Sequence, residues 1–160
     1  MIEHSFTRRD FLAASTAVAS LLSVESARGF QANDTLNVAC LGTGGRSQRI
    51  LMTRLAQIPN TRIAAVCDVW DTNLKAGAKL ADAKAILEDT DFRRLLDRSD
   101  IDAVVIGAPD HWHVPMTIAA CEAGKDVYVE KPLTHDLSEG KAVISAQNKH
   151  GRIVQVGTQQ

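Results

Sequence analysis

The sequence has almost no excess charge of either sign: 18 Lys and Arg residues stand against 19 Asp and Glu, a formal net charge of -1. A near-neutral chain does not draw polyanions, which excludes nucleic acid and anionic membrane as expected partners and favours small molecules. Cysteine is sparse. Cys40, Cys67 and Cys121 lie in apolar surroundings with no C-x-x-C spacing, so neither a zinc knuckle nor a disulfide framework is implied. All three read as buried packing residues. The alternative, a bridge between Cys40 and Cys67 on neighbouring strands, meets the difficulty that parallel central strands seldom offer disulfide geometry. Long apolar runs are also lacking. The stretch from Phe11 to Val24 is short and interrupted by Ser and Thr, whereas a membrane span needs roughly 20 apolar residues.

What is present is a chain of 160 residues, 45% hydrophobic and 23% charged, the balance of a soluble globular protein with one domain and a short appendage. The appendage reads as an address. Thr7, Arg8, Arg9, Asp10, Phe11 and Leu12 resemble the twin-arginine pattern and precede a weakly apolar stretch, as in an export signal. An ordinary amphipathic N-terminal helix is the alternative. Residues 1–32 are therefore expected to be signal and linker, with the cleavage point open between Val24 to Ser26 and Ala27 to Gly29. The resemblance implies that the twin-arginine machinery carries the protein, already folded and cofactor-loaded, to the periplasm.

From residue 33 to 160 short apolar runs alternate with helical patterns. Strands are expected at Leu36 to Leu41, Arg62 to Val69, Ala103 to Ile106, Asp126 to Val129 and Ile153 to Val156, with a weak one near Ala85 to Leu87. Helices are expected at Gly45 to Ile58, Asp71 to Ala81 with Asp71 as cap, Phe92 to Leu96, Val114 to Ala123 and Leu137 to His150. Nearly all-apolar strands alternating with helices indicate a doubly wound, mostly parallel α/β sheet of the Rossmann type, covered on both faces.

Ligands of such sheets bind beyond the carboxyl ends of the strands. The first segment there, Gly42, Thr43, Gly44, Gly45, Arg46 and Ser47, fits G-x-G-x-x-G except that Ser47 takes the third glycine position. Gly42 permits the tight turn, Gly44 lets the backbone approach a pyrophosphate, and the helix start supplies N–H groups. Asp68 closes the second strand 21 residues past Ser47, near the interval at which an acid meets the adenosine ribose. A carboxylate there repels a 2′-phosphate, so NAD is favoured over NADP, although Arg46 is placed to accept a phosphate. A plain capping role for Asp68 is the alternative.

With Gly42 to Ser47, Asp68, Pro109-Asp110-His111-Trp112-His113 and above all Glu130-Lys131-Pro132 in order, Leu36 to Gln160 resembles the glucose-fructose oxidoreductase and inositol dehydrogenase (Gfo/Idh/MocA) family. The likeness implies that Lys131 stands near nicotinamide C4 and the substrate hydroxyl, where an amine can polarise or deprotonate that hydroxyl during hydride transfer. It implies that Glu130 contacts the nicotinamide side, and that Pro109 and His113 pass under the cofactor with His113 near a ribose. His111 and Trp112 are expected on the same wall. Two histidines one residue apart suggest a metal, but no third ligand is near, so none is expected; His4, His135 and His150 read as solvated.

Family members continue into a second domain that builds the substrate pocket and forms the oligomer interface, so the chain reads as a fragment of a homo-oligomeric protein, inactive by itself. For the intact protein three functions stand. The first is an exported NAD(P)-dependent oxidoreductase of a sugar or polyol carbinol. The second is an NAD-dependent glycosidase that oxidises its sugar transiently and eliminates the glycosidic group. The third is a non-catalytic dinucleotide-binding protein.

Overall fold

A computed structural model describes residues 35–81 and 87–158; the twin-arginine segment lies outside the described residues. Six strands form one sheet in the order β3-β2-β1-β4-β5-β6, and every pair is parallel. They are β1 (Leu36–Leu41), β2 (Thr61–Cys67), β3 (Leu87–Asp89), β4 (Ala103–Ile106), β5 (Asp126–Glu130) and β6 (Val154–Gly157). The order reverses between β1 and β4, which leaves a crevice at their carboxyl ends.

The strands are apolar because both faces are covered. Val38, Ala39, Cys40 and Leu41 are all buried in β1, and alternate side chains enter two cores. Ala39 and Leu41 join Phe92, Leu95, Met116, Ala120 and Ala146. Val38 and Cys40 join Leu51, Met52, Leu74 and Ala78 on the other face. Each buried Val, Leu or Ile contributes about 1.5–3 kcal/mol relative to an exposed position. A register shift between Val38 and Ala39 against β2 places the consecutive residues Ala64 and Ala65 in the same core.

Helices follow with informative departures from expectation. The first, α1, is π-helical over Ser47–Met52 and α-helical over Thr53–Leu55, and the Thr53 hydroxyl donates to the Gln48 carbonyl five residues back, at 2.8 Å. Its predicted apolar stripe divides: Leu51 is core, whereas Ile58 is exposed. Ile50, Leu51, Leu55 and Ile58 line a groove of about 590 Å³ with Val105 and Tyr128. Trp70 rather than Asp71 takes the N-cap position of helix α2 (Asp71–Leu80), with no side-chain capping bond; Asp71 sits in its first turn and pairs with Lys75 at 2.6 Å. Strand β3 lies two residues beyond the weak run, where Leu87 to Asp89 pair with Ala65 to Cys67. Next come α3 (Phe92–Leu96) and α4 (His113–Glu122), the latter entered through a 3-10 turn at Asp110–Trp112. Helix α5 (Gly140–His150) begins three residues late, because Asp136 and Glu139 close a capping box around a 3-10 turn at Leu137–Glu139.

All three cysteines are free and buried. Cys40 and Cys67 face opposite cores, so no bridge between them is open to the fold. Desolvation by burial pushes Cys40 and Cys67 from 9.0 up to about 12, and raises Cys121 as well. Such thiols stay protonated and inert. Alkylation with iodoacetamide at mildly alkaline pH is expected to leave all three unmodified until denaturant is added; rapid native-state labelling of Cys40 would contradict the packing. A value raised in this way leaves stability unchanged below about pH 9 and lowers it as pH rises from there towards 12, because the unfolded chain ionises first.

Candidate dinucleotide site

The loop after β1 is held before any ligand arrives. Gly42 has φ +83°, and its N–H donates to the Cys67 carbonyl at 2.8 Å. A Cβ on Gly42 would lie 2.5 Å from the Ala108 nitrogen, so only glycine lets the β1 and β4 loops pass at the crevice. Thr43 is fully buried; its N–H donates to Asp68 Oδ2 at 2.8 Å and its hydroxyl to the Asn73 carbonyl at 2.8 Å. The Gln48 amide donates to the Thr43 carbonyl at 2.6 Å.

Ser47, standing where the fingerprint has its third glycine, donates to the Gly42 carbonyl at 2.6 Å. Room for its hydroxyl comes from Gly107 on the β4 loop, where a Cβ would lie 2.1 Å from Ser47 Oγ. The close approach is thus shared between two loops. Above Gly44 the space is open: a Cβ there meets only Asn73 Nδ2, at 3.8 Å. That opening over the first amides of a helix fits a pyrophosphate.

Asp68 has a task besides any ribose. Its Oδ2 accepts from Thr43, and its Oδ1 accepts from the Trp70 N–H at 2.9 Å, so it joins the glycine loop to the start of α2. A carboxylate offers about four acceptor positions, which leaves capacity for a hydroxyl. Asp68 also lines an apolar cavity of about 240 Å³ with Val69, Phe92, Arg93, Pro109 and Trp112. Trp112 meets Phe92 edge to face at 6.2 Å. His111, expected on the same wall, is largely exposed and lies 3.6 Å from Asp110. His135 is exposed, as expected, and its Nδ1 lies 3.2 Å from Asp110 Oδ2; together with the His111 N–H it holds the Asp110 carboxyl below its ordinary value.

At the end of β5, Glu130 is buried while accepting from Arg46 Nε and Nη2 at 3.1 and 3.0 Å and from the Lys131 N–H at 3.1 Å. Arg46 therefore neutralises a buried carboxylate across the crevice, a contact that sequence spacing does not reveal. Lys131 is exposed and precedes a cis peptide to Pro132. It lines a polar cavity of about 250 Å³ with Arg46, Ala108, Asp110, His113 and Glu130. His113 is buried, its Nδ1 lying 2.6 Å from the Pro132 carbonyl oxygen and its Nε2 2.9 Å from that of Ala108. Both ring nitrogens are engaged within the protein itself. Among the described residues, no group of three or more His, Cys, Asp or Glu is placed to hold a metal.

A glycine turn, an acid at the end of β2 and a lysine at the end of β5 thus converge on one switch point. Residues 36–158 match the family described as "Oxidoreductase family, NAD-binding Rossmann fold" (GFO_IDH_MocA). The chain belongs to this family. Relatives include the uncharacterized oxidoreductase YrbE of Bacillus subtilis, 34% identical over 71% of this chain and 33% of its own length. A glycosyl hydrolase family 109 protein of Saccharopolyspora erythraea is 34% identical over 77% of this chain and 28% of its own. Among solved structures, myo-inositol 2-dehydrogenase from Lactobacillus plantarum superposes with a TM-score of 0.68 at 28% identity, covering 77% of this chain and 36% of that one. The chain spans about a third of the length of the relatives it matches.

Proposed function

We propose that this chain supplies the dinucleotide site of an NAD(P)-linked enzyme acting on a sugar or polyol, and that the intact protein is a glycosidase working through transient oxidation. The observation that carries the dinucleotide reading is the switch-point cluster, in which Asp68 ties the glycine loop to the end of β2 and Glu130 ties it to the end of β5, beyond β4. The hydrolytic chemistry is favoured by the name glycosyl hydrolase family 109, borne by relatives from Saccharopolyspora erythraea, Solibacter usitatus and Stenotrophomonas maltophilia at 33 to 35% identity. Net dehydrogenation is the second reading, favoured by the likeness to myo-inositol 2-dehydrogenase.

The chemistry a nicotinamide would supply when bound here is acceptance of hydride from a carbinol carbon and, in the glycosidase, its return. The open backbone at Gly44 receives the pyrophosphate. Asp68 takes the adenosine ribose and selects NAD over NADP by repelling a 2′-phosphate. The Lys131 amine accepts the proton of the hydroxyl being oxidised.

Calorimetry with each coenzyme is expected to give heat with NAD at lower concentration than with NADP. No heat with either removes the reading. For the intact enzyme, aglycone release from an aryl glycoside with no net NADH is expected; NADH formed in proportion to free sugar or inositol consumed establishes the dehydrogenase instead.

A further inference from the structure

The imidazole of His113 sits at the first position of α4, at 2% exposure. Its two nitrogens face two carbonyl oxygens, those of Pro132 and Ala108, at 2.6 and 2.9 Å. The Nε2 contact lies within the range of N–H···O bonds and the Nδ1 contact just below it, and a carbonyl oxygen can only accept. A neutral imidazole has one N–H and one bare nitrogen. In either neutral tautomer a nitrogen lone pair would face a carbonyl lone pair in a ring only 2% exposed, at a cost typical of an unsatisfied buried polar group. A ring protonated at both nitrogens satisfies both contacts.

The two carbonyls are not arbitrary. Pro132 directly follows Lys131, and Ala108 follows Gly107, whose N–H donates to the Leu41 carbonyl at 2.8 Å. The ring therefore spans from the β4 loop, packed against Gly42, to the turn that carries Lys131. The cavity beside the ring is lined by charges of both signs. Glu130 from β5 and Asp110 from the 3-10 turn are anionic, and Lys131 and Arg46 are cationic. Arg46 is paired with Glu130, and Asp110 stands between His111 and His135.

We propose that His113 is a positioning residue, a doubly donating clamp between the Ala108 and Pro132 carbonyls that fixes the Lys131 turn, and that its ring does not bind the cofactor. The part concerning Lys131 rests on the function proposed above; the clamp itself does not.

Nitrogen NMR of the unaltered chain labelled in its histidine rings tests the clamp directly. At about neutral pH both His113 nitrogens are expected to resonate as protonated nitrogens, and a bare, pyridine-type signal at either one overturns the proposal. This readout needs neither coenzyme nor turnover, so it stands even where the functional reading fails. A His113→Ala variant that keeps a cooperative thermal transition is expected to bind NAD within about twofold of the parent, while turnover of the intact enzyme falls about tenfold. A greater loss of NAD affinity, or unchanged turnover in an active parent, overturns it. Should the variant not fold, the ring-nitrogen signals decide.

Discussion

Gly42→Ala is expected to destabilise the domain by about 3 kcal/mol or more and to lower the thermal midpoint by roughly 10 °C. Two costs coincide at this residue. Its φ of +83° is one that an L side chain rarely adopts. The added methyl would also stand 2.5 Å from Ala108 N, 2.7 Å from Ala108 Cα and 2.8 Å from the Gly107 carbonyl carbon. These are backbone atoms and cannot swing aside. The Gly107 N–H is bonded to the Leu41 carbonyl at 2.8 Å, so retreat of the β4 loop opens the β1 and β4 pairing on which the crevice depends. Gly44→Ala separates fold from binding: its Cβ meets only Asn73 Nδ2, at 3.8 Å, so the midpoint is expected to hold while NAD affinity falls about tenfold, because the methyl occupies the ligand's approach. Thermal melts and NAD titrations of both variants check this pair. A Gly42→Ala protein with parental midpoint and affinity would contradict the crevice geometry.

The contrast shows what the sequence discloses. Strands with two buried faces announce themselves, and β1, β4 and β5 fall within a residue of their apolar runs. Strand β3 does not, because only three residues pair, at the edge of the sheet, too few for a pattern. Fingerprint spacing places Gly42 and Asp68 at strand ends, and the family's Glu-Lys-Pro tripeptide places Lys131 at another. It is silent on contacts between segments distant in sequence: Arg46 on Glu130 lies 84 residues away, and Thr43 on Asp68 lies 25 away. The third glycine illustrates the limit. The motif asks whether residue 47 is small, whereas the fold asks whether residues 47 and 107 are small together. The π-helical stretch is equally hidden, since Ile50, Leu51 and Leu55 fit an ordinary helical stripe.

Lys131→Ala carries the second large effect, on rate rather than stability. The side chain is exposed and lines two cavities. What the turn requires at this position is the backbone N–H, held by Glu130 Oε2 at 3.1 Å. Removing the amine leaves that bond intact, so stability is expected to change by less than about 0.5 kcal/mol, and NAD affinity to stay within a few-fold. Turnover of the intact enzyme is expected to fall between about a hundredfold and ten-thousandfold, the usual worth of a positioned acid or base. Lys131→Arg is not expected to restore it, because a guanidinium stays protonated and cannot accept the hydroxyl proton. Steady-state rates with saturating coenzyme, beside a coenzyme titration of the same variant, distinguish the outcomes. Unchanged turnover removes Lys131 from the chemistry and leaves Asp68 and the glycine loop as a binding site alone; lost turnover together with lost affinity makes Lys131 a ligand of the dinucleotide rather than the base.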